Sequence, residues 1–242
     1  MREGFRIVTY NIHKCRGLDL RTSPMRIADV LRELDADVIA LQEVVASNDG
    51  GLEQDQARFL AEELGLELYL GENRLHQGGL YGNAVLTNFR VTDQRNFDIS
   101  VPGRERRGCL HVDLQVPDLG RIHVYNVHLG TAFLERRKQV MRLLEHGILR
   151  HEYPAPRVML GDFNEYTNGL TSRMLKSHFR SRDVRERLPR KRTYPGFFPL
   201  LHLDHIYYDH HLELVDAFVH RTRTSLIASD HLPLVADFRV QL

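Results

Sequence analysis

The segment MLGDFNEYTNG, residues 159–169, sets a carboxylate and a carboxamide, Asp162 and Asn164, directly after an apolar run that reads as a buried strand. The same grammar recurs along the chain. Asn11 follows RIVTY, Glu43 follows VIALQ, and Asn83 stands near the start of YGNAVL. His128 follows IHVYNV, Asp204 stands near the start of LDHIYY, and Asp230 and His231 precede the apolar run LPLVADF. Carboxylates and amide oxygens are hard donors that suit Mg²⁺ or Mn²⁺. Histidines beside acids allow proton transfer near neutral pH. Taken singly, an Asn or Asp at a strand end reads as a turn residue, and a lone His as a satisfied structural side chain. The whole set points instead to a site built on the loops of a layered scaffold.

The elements that must position these groups are mostly short strands. FRIVTYNIH, ADVIALQEV, LELYLG, YGNAVLTN, RVTDQRNFDI, RGCLHVDLQV, GRIHVYNVHL, RVMLGDFN, LDHIYY, LELVDAFVH and LPLVADFRV all read as β. SPMRIADVLRELD reads as a helix with Ser23 as its N-cap and Pro24 in its first turn. LEQDQARFLAEELG is an amphipathic helix closed by Gly65. AFLERRKQVMRLLEHGIL is the longest helical pattern, with Leu134, Val140, Met141 and Leu144 as its apolar residues, and GLTSRMLKS is a short helix. This alternation predicts an α/β protein with two packed sheets covered by helices on their outer faces. No repeat or low-complexity linker interrupts it, so residues 1–242 read as one domain, with 183–199 as a long surface loop.

Composition narrows the class. A net charge of +1 neither selects nor excludes a polyanionic partner. Cys15 and Cys109 are too few for a disulfide framework and match no zinc-ligand spacing. No apolar stretch reaches the ~20 residues needed to span a bilayer, and the amino terminus enters a strand without an apolar signal region. A cytoplasmic, monomeric protein is the expectation. There is no Gly-x-Ser-x-Gly elbow and no phosphate-binding Walker loop.

In order, TYNIH, LQEV, GNAVLT, NVHL, GDFN, LDHIY and SDHLPL resemble the endonuclease/exonuclease/phosphatase superfamily. That group includes pancreatic deoxyribonuclease, abasic-site endonucleases, neutral sphingomyelinases and inositol polyphosphate 5-phosphatases. The resemblance runs from residue 5 to residue 240 and is nearest to small bacterial members of unassigned substrate. It implies a four-layer α/β-sandwich with two mainly antiparallel sheets face to face. It also implies a Mg²⁺- or Mn²⁺-dependent phosphodiester hydrolase acting on nucleic acid or a phospholipid-like substrate. Alternatives are a lipid or sugar-phosphate phosphatase and a non-catalytic phosphate-binding module.

Roles carry over with the resemblance. Glu43 corresponds to the principal metal ligand, with Asn11 and Asp230 close to the ion. Asp162 corresponds to the acid that orients or deprotonates the attacking water, and Asn164 holds a phosphate oxygen. His231 contacts the scissile phosphate and is oriented by Asp204, while His128 is the other phosphate-side histidine. Asn83 and Arg107 fall where members contact substrate.

Two features leave the substrate open. Tyr194, Phe197 and Phe198 can stack on bases, dip into a lipid interface or plug their own loop. Arg180, Arg182, Arg185, Arg187, Arg190, Lys191 and Arg192 form a basic run against only Asp183 and Glu186. That run reads either as a solvated loop or as a contact for an anionic surface.

Overall fold

The computed structural model describes residues 4–47, 55–76, 78–145, 156–165, 169–179, 182–188 and 192–240. Strand β1 (Phe5–Asn11) explains why the fold has four layers. Successive side chains of a strand point to opposite faces. Phe5 and Ile7 enter one apolar cluster and Val8 and Tyr10 another, and all four are buried. A strand apolar on both faces must be covered on both faces.

One sheet takes the order β11 (Leu212–Val219), β12 (Leu234–Val240), β1, β2 (Val38–Ala46), β4 (Gly79–Thr87), β3 (Glu67–His76). The other runs β5 (Arg90–Asp98), β6 (Gly108–Val116), β7 (Gly120–His128), β8 (Arg157–Asp162), β10 (Asp204–Tyr208), β9 (Arg182–Asp183). Among the described residues, only the β1–β2 and β7–β8 pairs are parallel. The shared core between the sheets takes Phe5, Ile7 and Phe238 from one and Leu110, Val124, Leu160 and Ile206 from the other. This is the four-layer sandwich expected from sequence.

Helices α1 (Pro24–Arg32) and α2 (Gln56–Leu64) cover the outer face of the first sheet. Ser23 caps α1 by accepting the Arg26 N–H at 3.3 Å, and Gly65 closes α2 in the left-handed conformation that favours glycine. On the second sheet's outer face, α3 (Phe133–Glu145) buries Val140 and Leu143, and α4 (Leu170–Phe179) buries Leu175. Leu134 and Met141, expected on the apolar face of α3, are exposed. They lie seven positions apart on the helix's other side, because the packed face is set by Gln139, Val140 and Leu143. A last short helix, α5 (Ser225–Ala228), precedes the turn to β12.

The segment expected as a surface loop at 183–199 is partly anchored. Val184 joins the inter-sheet core, Asp183 and Thr193 are buried, and β9 pairs with β10. The apolar Val184 and Leu188 and the buried Asp183–His205 pair tie it down. Of the basic run, Arg180, Arg190 and Lys191 lie outside the described residues. No helix among the described residues is long and apolar enough to cross a membrane.

One glycine fixes how closely β7 and β8 approach beside the polar strand ends. Gly161 has φ +143°, and a Cβ there would sit 1.8 Å from the Val127 carbonyl oxygen. Gly161→Ala should therefore lower the unfolding free energy by on the order of 1–3 kcal/mol, because strain and steric clash combine. Urea unfolding of the purified variant measures this, and an unchanged midpoint would contradict the contact.

Candidate active site

Two sheets deliver their polar strand ends to one edge of the sandwich. β1 ends on Asn11, β7 on His128 and β8 on Asp162, while β10 begins on Asp204. Register places His128 opposite Asp162 and Asp162 opposite Asp204, so three side chains stand in one row across the second sheet. His231 comes from the turn before β12.

Asp162 is the hub. Its Oδ2 accepts from Asn11 Nδ2 at 2.9 Å, which joins the two sheets. The Nε2 atoms of His128 and His231 each stand 3.6 Å from that same oxygen. Its Oδ1 accepts the Asn164 backbone N–H at 2.9 Å, and Asn164 takes a left-handed φ of 49° to make that bond. The Asn164 side chain gives one amide hydrogen to the Leu129 carbonyl at 2.8 Å, leaving its second N–H for another acceptor. His231 Nδ1 pairs with Asp204 Oδ2 at 2.9 Å, so its Nε2 is the atom turned toward Asp162.

Glu43 reaches the group by a different device. It sits within β2, which runs two residues past the expected ADVIALQEV, where the register to β4 breaks between Leu41 and Val44. Its φ is +59°. A bulge re-aims one side chain without ending the strand. Glu43 Oε1 faces Asn11 Nδ2 at 3.3 Å, and its Oε2 forms a short ion pair with Lys14. Lys14 sits on the tight turn after β1, where His13, Lys14 and Cys15 all have positive φ. Asn11 turns its amide oxygen to the His13 N–H at 3.0 Å. Asp230 faces His13, Nδ1 to Oδ1 at 3.6 Å.

The two histidines beside Asp162 are driven in opposite directions. Burial opposes charge on His231, but Asp204 and Asp162 outweigh it and raise its pKa to about 10. Burial and the Arg107 charge lower His128 to about 4, against the pull of Asp162 and Glu43. At neutral pH one ring is an imidazolium and the other is neutral, which splits proton donor from proton acceptor. Glu43 is likewise held ionised. Burial works against its charge, yet His128, Lys14 and Asn11 bring it down to about 2. Because His128 is neutral above its own pKa, Lys14 is the cation that counts at pH 7.

Asn83 and Arg107 are placed less simply. Asn83 lies inside β4, buried, with its amide nitrogen donating to the Gly108 and Asn126 carbonyls at 3.2 Å each. That work joins the sheets. Arg107 pairs with Glu105 at 2.9 Å, and its buried Nε has no hydrogen-bond partner among the described residues. Sequence reasoning passed over Lys14, Gln42, Asn126 and Ser229. Ser229 Oγ donates to the Asn11 carbonyl at 2.8 Å. Adjacency to a named site residue was the available signal for Gln42, beside Glu43, and Ser229, beside Asp230, whereas Lys14 lies three positions after Asn11.

The aromatic loop reaches the site as well. The Tyr194 ring is 4.9 Å from that of His231, and the Gly196 N–H donates to the Asp230 carbonyl at 2.6 Å. Phe197 and Phe198 are 70% and 65% exposed, so they do not plug the loop.

The sequence pattern of the Endonuclease/Exonuclease/phosphatase family matches residues 8–231. The uncharacterized protein YbhP of Escherichia coli (strain K12) is 31% identical over 98% of this chain and 96% of its own length. An endonuclease/exonuclease/phosphatase from Beutenbergia cavernae superposes with a TM-score of 0.77 at 25% identity, over 99% of this chain and 72% of that one. The mannosyl-6-phosphatase Bt3783 of Bacteroides thetaiotaomicron gives a TM-score of 0.75 at 18% identity, covering 97% and 99% of the two chains.

Two residues before Asp204, His202 is buried against His205 with neither ring nitrogen hydrogen-bonded among the described residues. Burial and the neighbouring His205 lower its pKa from 6.5 to about 3. Between those values the unfolded chain binds a proton that the folded chain refuses, so stability falls as pH drops through this window. His202→Gln should remove about one proton from the stability slope there, ~1.4 kcal/mol per pH unit. Urea unfolding at several pH values within the window tests this, and an unchanged slope would mean that His202 titrates normally.

Proposed function

Because the chain belongs to the endonuclease/exonuclease/phosphatase family and is a phosphoesterase-type hydrolase, we propose that it cleaves phosphodiesters of nucleic acid or a phospholipid-like substrate with Mg²⁺ or Mn²⁺ as cofactor. The observation that carries this reading is the Asp162 hub, bonded to Asn11 across the sheets and flanked by the Nε2 atoms of two histidines, each 3.6 Å from its Oδ2. Asp162 orients the attacking water and takes its proton. Asn164 offers its second amide hydrogen to a phosphate oxygen. His231, held charged by Asp204, stabilises the negative charge that builds on phosphorus-bound oxygen, and neutral His128 binds the same phosphate. Arg107 stands beside His128 as a further cation for substrate, while Asn83 aligns the sheets beneath it.

The donor set suits a hard divalent cation. Glu43, Asn11 and Asp230 offer oxygens, and Glu43 is kept ionised. Lys14 already pairs with Glu43, so a cation there must share that carboxylate with an ammonium, and Asn11 must turn its amide to present oxygen. Such an ion supplies charge neutralisation at the phosphate. The exposed Phe197, Phe198 and Leu200, on a loop pinned at Tyr194 beside His231, favour a substrate with an aromatic or apolar portion. Residues 1–242 as one domain, a monomeric state and a cytoplasmic location complete the reading, supported by the core shared between the sheets and two free buried cysteines.

Activity on a panel of plasmid DNA, RNA, sphingomyelin, bis-p-nitrophenyl phosphate and a sugar monophosphate should vanish with chelator and return with Mg²⁺ or Mn²⁺. Glu43→Gln should reduce turnover by about 10²-fold or more with the fold intact by circular dichroism. Full activity in excess chelator overturns the metal assignment.

His231→Ala should cost ~10²-fold or more in turnover, and Asp204→Ala somewhat less. Since Asp204 acts through His231, the double variant should cost less than the product of the single losses. Multiplicative losses in that cycle would break the proposed dyad.

A further inference from the structure

A second group of metal-competent side chains lies away from the site just described. His111 and Asp113 are two apart on β6 and therefore share a face, the outer one that also carries Cys109. Register sets Asp113 directly opposite His123 on β7. His123 precedes His128 by five positions, roughly 17 Å along the strand. It points to the opposite face, so the two groups share no ligand.

Three donor atoms converge. Asp113 Oδ1 is 2.8 Å from His111 Nε2 and 2.5 Å from His123 Nδ1, and the two nitrogens are 3.4 Å apart. His111, Asp113 and His123 are 8%, 7% and 1% exposed. The His111 ring is held between Phe97 at 6.3 Å and Tyr125 at 4.5 Å, nearly parallel to the latter, so its direction is set by packing. Asp93, opposite Asp113 on β5 and paired with Arg95 at 3.0 Å, lies beside the group.

As plain hydrogen bonding the arrangement is uneconomical. Both imidazoles address one carboxylate oxygen, which sets two N–H groups side by side. As a ligand set it is coherent. Atoms bound tetrahedrally at 2.0–2.1 Å lie roughly 3.3 Å apart, which the two nitrogens already meet. The carboxylate oxygen need withdraw only by several tenths of an ångström. Two imidazoles and one carboxylate select a borderline cation over Mg²⁺. We propose that His111, Asp113 and His123 form a Zn²⁺-class site on the outer face of the second sheet, with water in the fourth position, that cross-links β6 to β7. Its role is stability: the ion binds the folded chain and shifts unfolding by mass action.

Chelator-stripped full-length protein, loaded with Zn²⁺ and passed through gel filtration, should retain the metal and melt at a higher temperature. Co²⁺ in its place should give the visible absorption of a tetrahedral centre. His111→Gln and Asp113→Asn should each weaken retention about tenfold or more, while Glu43→Gln in the active site should leave it unchanged. No Zn²⁺ retained, or equal retention by wild type and Asp113→Asn, overturns the site. If those variants fail to fold, ¹⁵N resonances of the histidines decide. Nδ1 of His231 is taken by Asp204, and His128 turns Nε2 inward, so Zn²⁺ captured by those two histidines would bind Nε2 atoms; His13, whose Nδ1 faces Asp230, is replaced by Gln in the protein used. The outer site instead requires one histidine ligated through Nε2 and one through Nδ1. A loaded protein with no Nδ1-ligated histidine refutes it.

Discussion

Asn126 is the polar bolt on which the alignment of the two sheets depends. It is fully buried on β7, and its amide nitrogen donates to the Leu41 and Ala84 carbonyls of the opposite sheet at 2.9 and 2.8 Å. Its oxygen accepts from Gln42 at 2.8 Å, and its own carbonyl accepts from Asn83. Apolar faces pack without strong directional preference, so a purely aliphatic interface would tolerate small sliding. A buried amide that loses its partners costs about 1–3 kcal/mol. The network therefore fixes one relative position of the sheets, within two residues of His128 and beside the Glu43 bulge.

That alignment is what lets groups from different sheets meet at one atom, Asp162 Oδ2. Asn11 and Glu43 belong to the first sheet, Asp162, His128 and Asp204 to the second, and the first hydrogen bond between the sets is Asn11 to Asp162. The electrostatics follow from placement rather than residue type. His231 has a carboxylate on each ring nitrogen, whereas His128 has Arg107 and a charged His231 nearby. Identical side chains a few ångströms from one oxygen thus hold opposite charge states.

The two outer faces of the sandwich carry different cover. Helices α1 and α2 blanket the first sheet with aliphatic contacts. On the second sheet the apolar cluster around α3 and α4 gives way to polar and aromatic side chains at the β5–β6–β7 corner, where His111, Asp113 and His123 converge. A buried carboxylate needs compensation wherever it lies. In the active site it comes from amides and an imidazolium, and at this corner from two imidazoles.

Strand positions, the Ser23 cap of the first helix and the Gly65 cap of the second were legible in the sequence, because they rest on local periodicity and short-range hydrogen bonding. The strands read as FRIVTYNIH, GRIHVYNVHL and RVMLGDFN end one or two residues earlier in the structure, on Asn11, His128 and Asp162. Tertiary structure alone decided what depends on register and bulges. Glu43 is re-aimed from within its strand, Asn83 becomes part of the bolt, and α3 buries Val140 and Leu143 while leaving Leu134 and Met141 in solvent. It also brought Lys14 onto Glu43 and set His123 against Asp113. Those pairings join residues distant along the chain or on separate strands, and period and composition do not encode which strand lies beside which.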